Sequence, residues 1–193
     1  MIRPVPWLPV LAARFPPYVA GMIINRAYIL LTLLLAACST STPVEAESTA
    51  LLTTIPAAGA AGVDVNAHIE VRFDSPIAPG TGHPIALQVG DCPGPAVAGT
   101  WSRTADGMGL RFTPTQPLDP STLYTIHVGG GMTDADGGII NLDLNGPALG
   151  GTWVTLEMVM GMTAMGMGPS HSGPEWLYLN GMYGLAFAFT TGS

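Results

Sequence analysis

Two short alternating runs near the middle of the chain constrain its fold more than any other feature. Leu110 and Phe112 alternate with polar residues, and Tyr124, Ile126 and Val128 repeat the pattern after a proline-rich turn. Successive side chains of a strand point to opposite faces, so a period of two places the apolar residues on one face. The runs therefore predict two strands that share one core.

Further runs of the same kind lie on both sides of this pair. Their apolar members are Leu51 and Ile55, then Ile69, Val71 and Phe73, then Ile85, Leu87 and Val89, and finally Val97 and Trp101. The 25 Gly and 18 Pro separate such runs at the spacing of a sandwich, and long helical periodicity is absent after residue 38. The sequence therefore predicts an all-β domain, with His68, Glu70 and Arg72 on a solvent face.

The charge balance excludes one class of partner. From residue 38 onward the chain holds three arginines and all 13 acidic residues, a formal charge of −10. A surface of this sign repels the phosphate backbone of nucleic acids. Nucleic-acid binding is therefore not expected.

The first part of the chain has the pattern of a secretion signal. Residues 22–26 form a short positively charged start, and residues 27–35 are apolar but too few to span a bilayer as a helix. The motif L-A-A-C at residues 35–38 follows directly and resembles the lipobox of bacterial lipoproteins. The resemblance implies that a signal peptide, residues 1–37, is removed and that Cys38 carries a lipid, which holds the protein at a membrane.

The sequence on either side of Cys38 refines this prediction. Residues 1–21 are rich in proline and aromatic residues, which is unusual in such a leader, so translation is expected to start at Met22. In enteric-type sorting, an Asp directly after the lipidated Cys opposes transport to the outer membrane. Residue 39 is Ser, so the outer membrane is expected, with the domain facing the periplasm or the cell surface. Residues 38–50 predict a disordered tether, and residues 51–191 predict the folded domain.

Five motifs carry a second resemblance. They are P-A-A-G-A-A-G-V-D-V-N at 56–66, I-E-V-R-F-D-S-P-I at 69–77, L-R-F-T-P-T-Q-P-L-D-P-S-T-L-Y-T-I-H-V at 110–128, D-A-D-G-G at 134–138 and F-A-F-T-T at 187–191. Their order resembles the bacterial Ig-like domain of S-layer and other envelope proteins, over residues 51–141 and 185–191. The resemblance implies an antiparallel β-sandwich without catalytic residues, which acts as a spacer or binds a protein or glycan partner.

Tyr124 is predicted to have a structural role. It stands after the L-D-P turn at residues 118–120 and at the start of a strand. This placement resembles the tyrosine corner of immunoglobulin-like sandwiches, in which the tyrosine hydroxyl ties the loop to the strand. The same tie is expected from Tyr124.

Residues 142–182 interrupt the sandwich pattern before its last strand and are interpreted as an insertion. Residues 152–162 predict an extended strand. Residues 176–179 are expected to pair with residues 182–189 through the turn N-G at 180–181, a type I′ hairpin signal. Either a function private to this protein or a contact between copies of the chain is expected in this segment.

The insertion also has the most unusual composition of the chain. Its soft side chains are Met158, Met160, Met162, Met165, Met167 and His171. Thioether sulfur and imidazole are ligands for Cu(I), and Met-x-Met on a strand places both sulfurs on one face, about 7 Å apart. The leading prediction assigns no metal and no cofactor, because these methionines can simply pack in the apolar face of a strand. The alternative is a copper site formed by these residues.

A weaker resemblance, to periplasmic copper-resistance proteins with an Ig-like sandwich, supports the copper alternative. It rests on the opening at residues 56–59, the run F-x-x-P-I at 73–77 and the D-G pair at 136–137. The chain departs from those proteins at Gly138, where they carry a ligand histidine, and at Cys38, where lipid blocks the N-terminal amine. A Cu(II) site of their type is therefore not expected.

The other histidines and the second cysteine are expected to be inert. His68 and His127 alternate with core residues and so predict solvated positions, and His83 lies in a loop rich in Gly and Pro. Cys92 has no partner for a disulfide once Cys38 is lipidated. A free loop thiol is expected, with intermolecular pairing or metal binding as the alternative.

The sequence contains no recognisable catalytic constellation, so an enzyme is not expected. Asp134 and Asp136 resemble the opening of a calcium loop, but Asn145 stands where a bidentate Glu is needed, and a polar turn is the prediction. The run S-H-S around His171 lacks both a G-x-S-x-G setting and an acid to orient the histidine. The predicted function is a lipid-anchored envelope module that binds or spaces without catalysis.

Overall fold

The computed structural model describes residues 48–80, 82–164, 171 and 173–193. Within these ranges the chain forms eight strands and two short helices. The strands are β1 (Leu51–Ile55), β2 (Ile69–Phe73), β3 (Ile85–Val89), β4 (Gly99–Arg103), β5 (Gly109–Pro114), β6 (Leu123–Val128), β7 (Thr152–Trp153) and β8 (Leu185–Thr190). The helices are α1 (Leu142–Asn145) and α2 (Leu156–Ala164).

The strands form two antiparallel sheets of four strands each. The order is β1-β2-β5-β4 in the first sheet and β3-β6-β8-β7 in the second. Both sheets contribute to one buried cluster, which includes Val71 and Phe112 from the first sheet and Ile126 and Phe187 from the second. The predicted all-β sandwich is confirmed, with a correction to its inserted segment.

The strand register brings the predicted apolar faces together. Leu110 of β5 lies opposite Val71 of β2, and Ile126 of β6 lies between Leu87 of β3 and Phe187 of β8. Because side chains alternate with a period of two, aligning one apolar residue with another aligns the whole apolar face. All five residues are in the core.

Tyr124 joins the loop before β6 to the sandwich. Its hydroxyl accepts a hydrogen bond from the backbone N–H of Asp119 at 2.8 Å, and its ring stacks on Phe189 of β8 with 5.8 Å between centroids. The hydroxyl of this buried side chain is thereby satisfied. The contact has the form of the tie that a tyrosine corner makes.

The inserted segment is partly helical, so the strand predicted over residues 152–162 is wrong for all but its first two residues. β7 ends at Trp153, and α2 begins at Leu156. The hydroxyl of Thr155 accepts a hydrogen bond from the N–H of Met158 at 3.3 Å and so caps the helix. Met and Leu are strong helix formers, and a short apolar run does not by itself distinguish a strand from a helix.

The hairpin predicted in the insertion is also wrong as a pair of strands. A turn does form at Gly181, which has a φ of +83°, and the N–H of Tyr178 donates to the carbonyl of Met182 at 2.7 Å. Residues 176–179 are not a strand, because β7 occupies the edge of β8 at which a hairpin would pair. Tyr178 instead enters the core and stacks on Trp153 with 5.4 Å between centroids.

The fold starts slightly ahead of the predicted domain boundary. Thr49 and Ala50 are buried, and the N–H of Asn141 donates to the carbonyl of Thr49 at 2.7 Å. The end of the segment predicted as a tether, residues 38–50, therefore belongs to the fold. The leader and Cys38 lie outside the described residues. In the part of the chain that the structure describes, neither helix is long and apolar enough to cross a membrane.

Candidate functional site

The inserted segment covers the outer face of the second sheet. This face carries the side chains of β6 and β8 that alternate with the core, among them Thr125, His127 and Ala186. Val154 and Val159 of the insertion are buried and pack with Ala186 in a small apolar cluster, separate from the main core. Positions that face solvent in a sandwich without an insertion are therefore enclosed here.

A chain of four polar contacts lies on the enclosed face. The N–H of Gly94 donates to Oε1 of Gln88 at 3.1 Å, and Nε2 of Gln88 lies 2.6 Å from Nδ1 of His171. Nδ1 of His171 lies 3.1 Å from Nδ1 of His127. Nε2 of His127 donates to the carbonyl of Tyr183 at 2.6 Å. We refer to His127 and His171 as the histidine pair.

Trp176 packs against both rings of the histidine pair. Its indole stacks on His171 with 4.1 Å between ring centroids and 14° between ring planes, and it lies 4.5 Å from the ring of His127. Gln88 and His127 are 0% exposed, and His171 is 4% exposed. Since solvent barely reaches these side chains, their polar atoms depend on protein neighbours.

Burial also controls the protonation of the pair. It lowers the pKa of His127 to about 3, against the opposing effect of the Tyr183 carbonyl, and it lowers the pKa of His171 to about 4. The cause is that an imidazolium loses its hydration in this enclosure. Both rings are therefore neutral at pH 7, and neutral imidazole is the form that ligates metals.

A cavity of about 340 Å³ lies on the same outer face of the second sheet. The sheet contributes Thr125 and Ala186 to its lining, and other segments contribute Cys92 and Met158. Ala186 lies opposite His127 in the β6–β8 ladder. The cavity therefore brings two sulfur-containing side chains to the face that holds the pair.

Cys92 is a free thiol, as expected, and it is buried. Burial raises the pKa of this thiol well above its ordinary value, and the nearby Asp91 carboxylate acts in the same direction. A protonated and enclosed thiol is a poor nucleophile. Its position disfavours the alternative of a disulfide with another chain.

The structure separates the methionines predicted as copper ligands. Met158 packs partly buried against the small apolar cluster, whereas Met160 is 59% exposed. Residues two apart on a helix do not face each other, so the sulfurs of Met158 and Met160 do not share a face as they would on a strand. Met165, Met167 and the side chain of Met162 lie outside the described residues.

The solvated position predicted for His127 is wrong. The alternation does place this residue on the outer face of β6, but the insertion covers that face and brings His171 against it. Sequence reasoning selected His171 as a ligand but did not connect it with His127, because the two lie 44 residues apart. Of the other histidines, the side chain of His68 is 44% exposed, and burial lowers the pKa of His83 in its loop.

The outer face of the first sheet holds a second buried polar group, the carboxylate of Glu70. Although predicted to face solvent, its side chain is only 3% exposed. It accepts hydrogen bonds from Arg72 at 2.9 Å, from Arg111 at 3.0 and 3.1 Å and from His68 at 2.7 Å. Burial alone would raise the pKa of Glu70, but these bonds hold it below its ordinary value. We call these four residues the Glu70 cluster.

The D-A-D-G motif forms a polar turn, as predicted. Oδ1 of Asp134 accepts hydrogen bonds from the N–H groups of Asp136 at 3.1 Å and Gly138 at 2.8 Å, and Oδ2 accepts from the hydroxyl of Thr49 at 3.1 Å. The carboxylate of Asp134 is therefore used to close the turn. Within the described ranges, no group of three or more His, Cys, Asp or Glu residues is placed to hold a metal ion.

Comparison with known proteins identifies the fold family. The family model described as bacterial Ig-like domain matches residues 45–148, more than half of the chain. No curated protein matches the chain.

Among solved structures, the chain is similar to the S-layer protein rSbsC, at 14% identity over 49% of this chain and 12% of that one, with a TM-score of 0.36. Domains 1–6 of SbsC match at 16% identity over 50% of this chain and 13% of theirs, also with a TM-score of 0.36. The chain thus spans a small part of these proteins. By the match of its sequence to the family model, the chain belongs to the bacterial Ig-like domain family.

Proposed function

We propose that this protein is a lipid-anchored module of the bacterial cell envelope that binds a partner or acts as a spacer, without catalysis. The observation that carries the proposal is the L-A-A-C motif at residues 35–38 ahead of an Ig-like domain, in whose described residues Thr49 is the first that is buried. Residues 39–48 between them span at most about 35 Å when extended. A lipid on Cys38 would therefore keep the domain close to the membrane.

The distribution of polar groups supports a non-catalytic role. The carboxylate of Glu70 is held by cationic partners, Asp134 closes a turn, and the histidine pair is enclosed. These groups are engaged within the fold and are not presented to a substrate. Specific turnover that is abolished by a single polar substitution would contradict the proposal.

The partner is expected to be another envelope macromolecule, either a protein or a glycan, or a second copy of the chain. The acidic domain repels nucleic acids and also anionic lipid headgroups. Light scattering of the full-length protein in detergent micelles, over a range of concentrations, measures self-association. A mass that rises with concentration would identify a second copy as the partner.

Lipidation is tested by expressing the full chain in Gram-negative bacteria with a clickable fatty acid. We expect the wild type to carry the label and to fractionate with membranes. Cys38→Ala should lose both properties. Cys92→Ala is the matched control, because it removes the other cysteine and should retain the label. A labelled Cys38→Ala variant, or an unlabelled wild type, would contradict the proposal.

The outer-membrane assignment has its own test. Ser39→Asp should move the labelled protein from the outer to the inner membrane fraction on a density gradient, if sorting follows the enteric pattern. Protease treatment of intact cells then distinguishes the cell surface from the periplasm. An unlipidated protein in the periplasm would exclude the assignment.

A further inference from the structure

We propose that the histidine pair is a binding site for one monovalent soft metal ion, with Cu(I) as the ion of that class. The proposal does not depend on lipid anchoring. It rests on the directions of the hydrogen bonds that reach the pair from both ends and on the enclosure of the rings.

The hydrogen bonds at the Gly94 end of the four polar contacts determine whether Nδ1 of His171 carries a proton. The N–H of Gly94 can only donate, so the atom of Gln88 that faces it is the amide oxygen. The amide nitrogen of Gln88 therefore donates to Nδ1 of His171 across 2.6 Å. Nδ1 of His171 is then an acceptor, with a lone pair and no proton.

The hydrogen bond at the Tyr183 end determines which ring nitrogen of His127 carries the proton. The carbonyl of Tyr183 can only accept, so Nε2 of His127 carries the proton. A neutral imidazole has one N–H and one acceptor nitrogen, so Nδ1 of His127 also bears a lone pair. Two acceptors thus face each other at 3.1 Å. Two lone pairs that face each other repel, and a positive charge between them, either a proton or a metal ion, would remove this repulsion.

A metal ion fits this contact better than a proton. Both bury one positive charge, but a proton converts one ring into an imidazolium, whereas a metal ion offsets the desolvation cost with bonds to the lone pairs of both neutral rings. The hydrogen bond from His127 to the carbonyl of Tyr183 is the outer contact that ligating histidines almost always make. With metal–nitrogen bonds of about 2 Å, two ligand nitrogens stand about 3.3–4 Å apart, so the rings need to separate by less than about 1 Å. The amide of Gln88 must turn away as the ion takes the lone pair of His171.

The surroundings favour a single positive charge. Within the described part of the chain, the groups that hydrogen-bond to the pair or stack on it are an amide, a backbone carbonyl and an indole, all of them neutral. The Born cost of burying an ion rises with the square of its charge. Structural zinc sites are almost always four-coordinate, whereas no third His, Cys, Asp or Glu joins the pair among the described residues. Imidazole and thioether suit Cu(I), and Met158 lines the cavity on the same face of the sheet, together with Cys92 and Asp91.

The test is an anaerobic titration of the full-length protein in detergent micelles with Cu(I), in competition with a chromophoric Cu(I) chelator. We expect the wild type to withhold one equivalent of Cu(I). His171→Ala should weaken the affinity at least tenfold. His68→Ala is the matched control, because it removes a histidine of the Glu70 cluster, which lies on the other sheet, and its affinity should stay within twofold of the wild type.

A second measurement does not depend on the folding of any variant. Silver(I) is a redox-inert monovalent probe, and one equivalent added to ¹⁵N-labelled wild type should shift the Nδ1 resonances of both His127 and His171. Zn(II) should bind more weakly than Cu(I) in a parallel titration.

Four outcomes would overturn the proposal. They are a wild type that withholds no Cu(I), a folded His171→Ala variant that binds as tightly as the wild type, Ag(I) that shifts neither Nδ1 resonance, and tighter binding of Zn(II) than of Cu(I). A triple variant with Met158, Met160 and Met162 changed to Leu tests the methionines separately. Loss of binding in this variant, with full binding in His171→Ala, would assign the ion to the methionines instead.

Discussion

The outer faces of the two sheets each bury a polar side chain, but different parts of the chain cover it. Glu70 and His127 both alternate with core residues, and both are buried, with 3% of the Glu70 side chain and 0% of His127 exposed. Glu70 is covered by its own hydrogen-bonding partners, two of which, Arg72 and Arg111, lie on β2 and β5. His127 is covered by a separate segment of the chain, the insertion.

The residues that cover each buried group determine whether that group is charged. Glu70 stays ionised because cationic side chains both shield it and bond to it, and Arg111 lies opposite it in the β2–β5 ladder. The insertion brings Trp176 and a second histidine to His127, so that ring is neutral at pH 7. The ion pairs of Glu70 with Arg72 and Arg111 thus form within one sheet, whereas the histidine pair depends on residues that lie far apart in the sequence.

The largest expected effect of this difference is acid sensitivity. Below about pH 6.5 the unfolded chain protonates His127, while the folded chain resists protonation until about pH 3. Stability contributed by neutral His127 is therefore present above pH 6.5 and is lost as the pH falls. The loss is about 2 kcal/mol at pH 5, and His171 adds to it in the same direction.

Urea unfolding of the metal-free protein between pH 7 and 5, with a chelator present, measures this loss. His127→Gln retains a donor for the Tyr183 carbonyl and should reduce the pH dependence to the part that His171 contributes. Glu70→Gln should leave it unchanged in this range. An equal slope in wild type and His127→Gln would contradict the assignment to this ring.

The next largest effect is expected at Glu70. Glu70→Gln removes the charge that three donors share, and we expect a loss of about 1–2 kcal/mol at pH 7. The pKa of Glu70 lies below its ordinary value of 4.5, so its contribution is present above that pH and is lost as the pH falls further. The unfolding curves of wild type and variant should therefore converge in strong acid.

Asp106→Asn is the control for the Glu70 cluster, because Asp106 pairs with Arg72 at its exposed outer side. It should cost clearly less than Glu70→Gln, because exposed ion pairs contribute little to stability. A larger cost for Asp106→Asn than for Glu70→Gln would show that burial of the carboxylate is not what matters.

A third experiment adds a negative charge beside the histidine pair, so that the pair comes to resemble the Glu70 cluster. Gln88→Glu places a carboxylate within reach of the N–H of Gly94 and of Nδ1 of His171. We expect the pKa of His171 to rise by at least about one unit, because a nearby negative charge favours the imidazolium. An NMR titration of the ring protons measures the shift. An unchanged pKa would mean that the side chain at residue 88 does not face His171.

A fourth experiment compares two methionines of α2. Met158→Ala should cost about 1–2 kcal/mol, because Met158 packs against the small apolar cluster. Met160→Ala should stay within about 0.5 kcal/mol, because Met160 is largely exposed. Thermal unfolding gives both values. Equal costs would favour the strand that the sequence predicts over the helix.

Local pattern was sufficient for the sandwich itself. The alternation at Leu110, Phe112, Tyr124, Ile126 and Val128 predicted both the strands and their buried faces, because one buried face imposes a period of two on the sequence. The polar turn at Asp134 was equally readable, since its bonds reach mainly residues two and four positions along the chain. These features depend on neighbours in sequence or on adjacent strands.

The insertion was where local pattern failed. Residues 156–164 have apolar composition without a decisive period, so capping by Thr155 and packing against the sheet select the helix. Boundaries of such segments depend on which sheet edge is already occupied, as β7 occupies the edge of β8.

The sequence by itself therefore determined the all-β class, the faces of the central strands and the placement of Tyr124 after its turn. Only the tertiary structure decided that His127 is enclosed, that His171 contacts it, that Gln88 contacts His171 in turn and that Cys92 is buried. Alternation specifies which face a side chain occupies, but whether that face meets water depends on a segment that folds back from far along the chain.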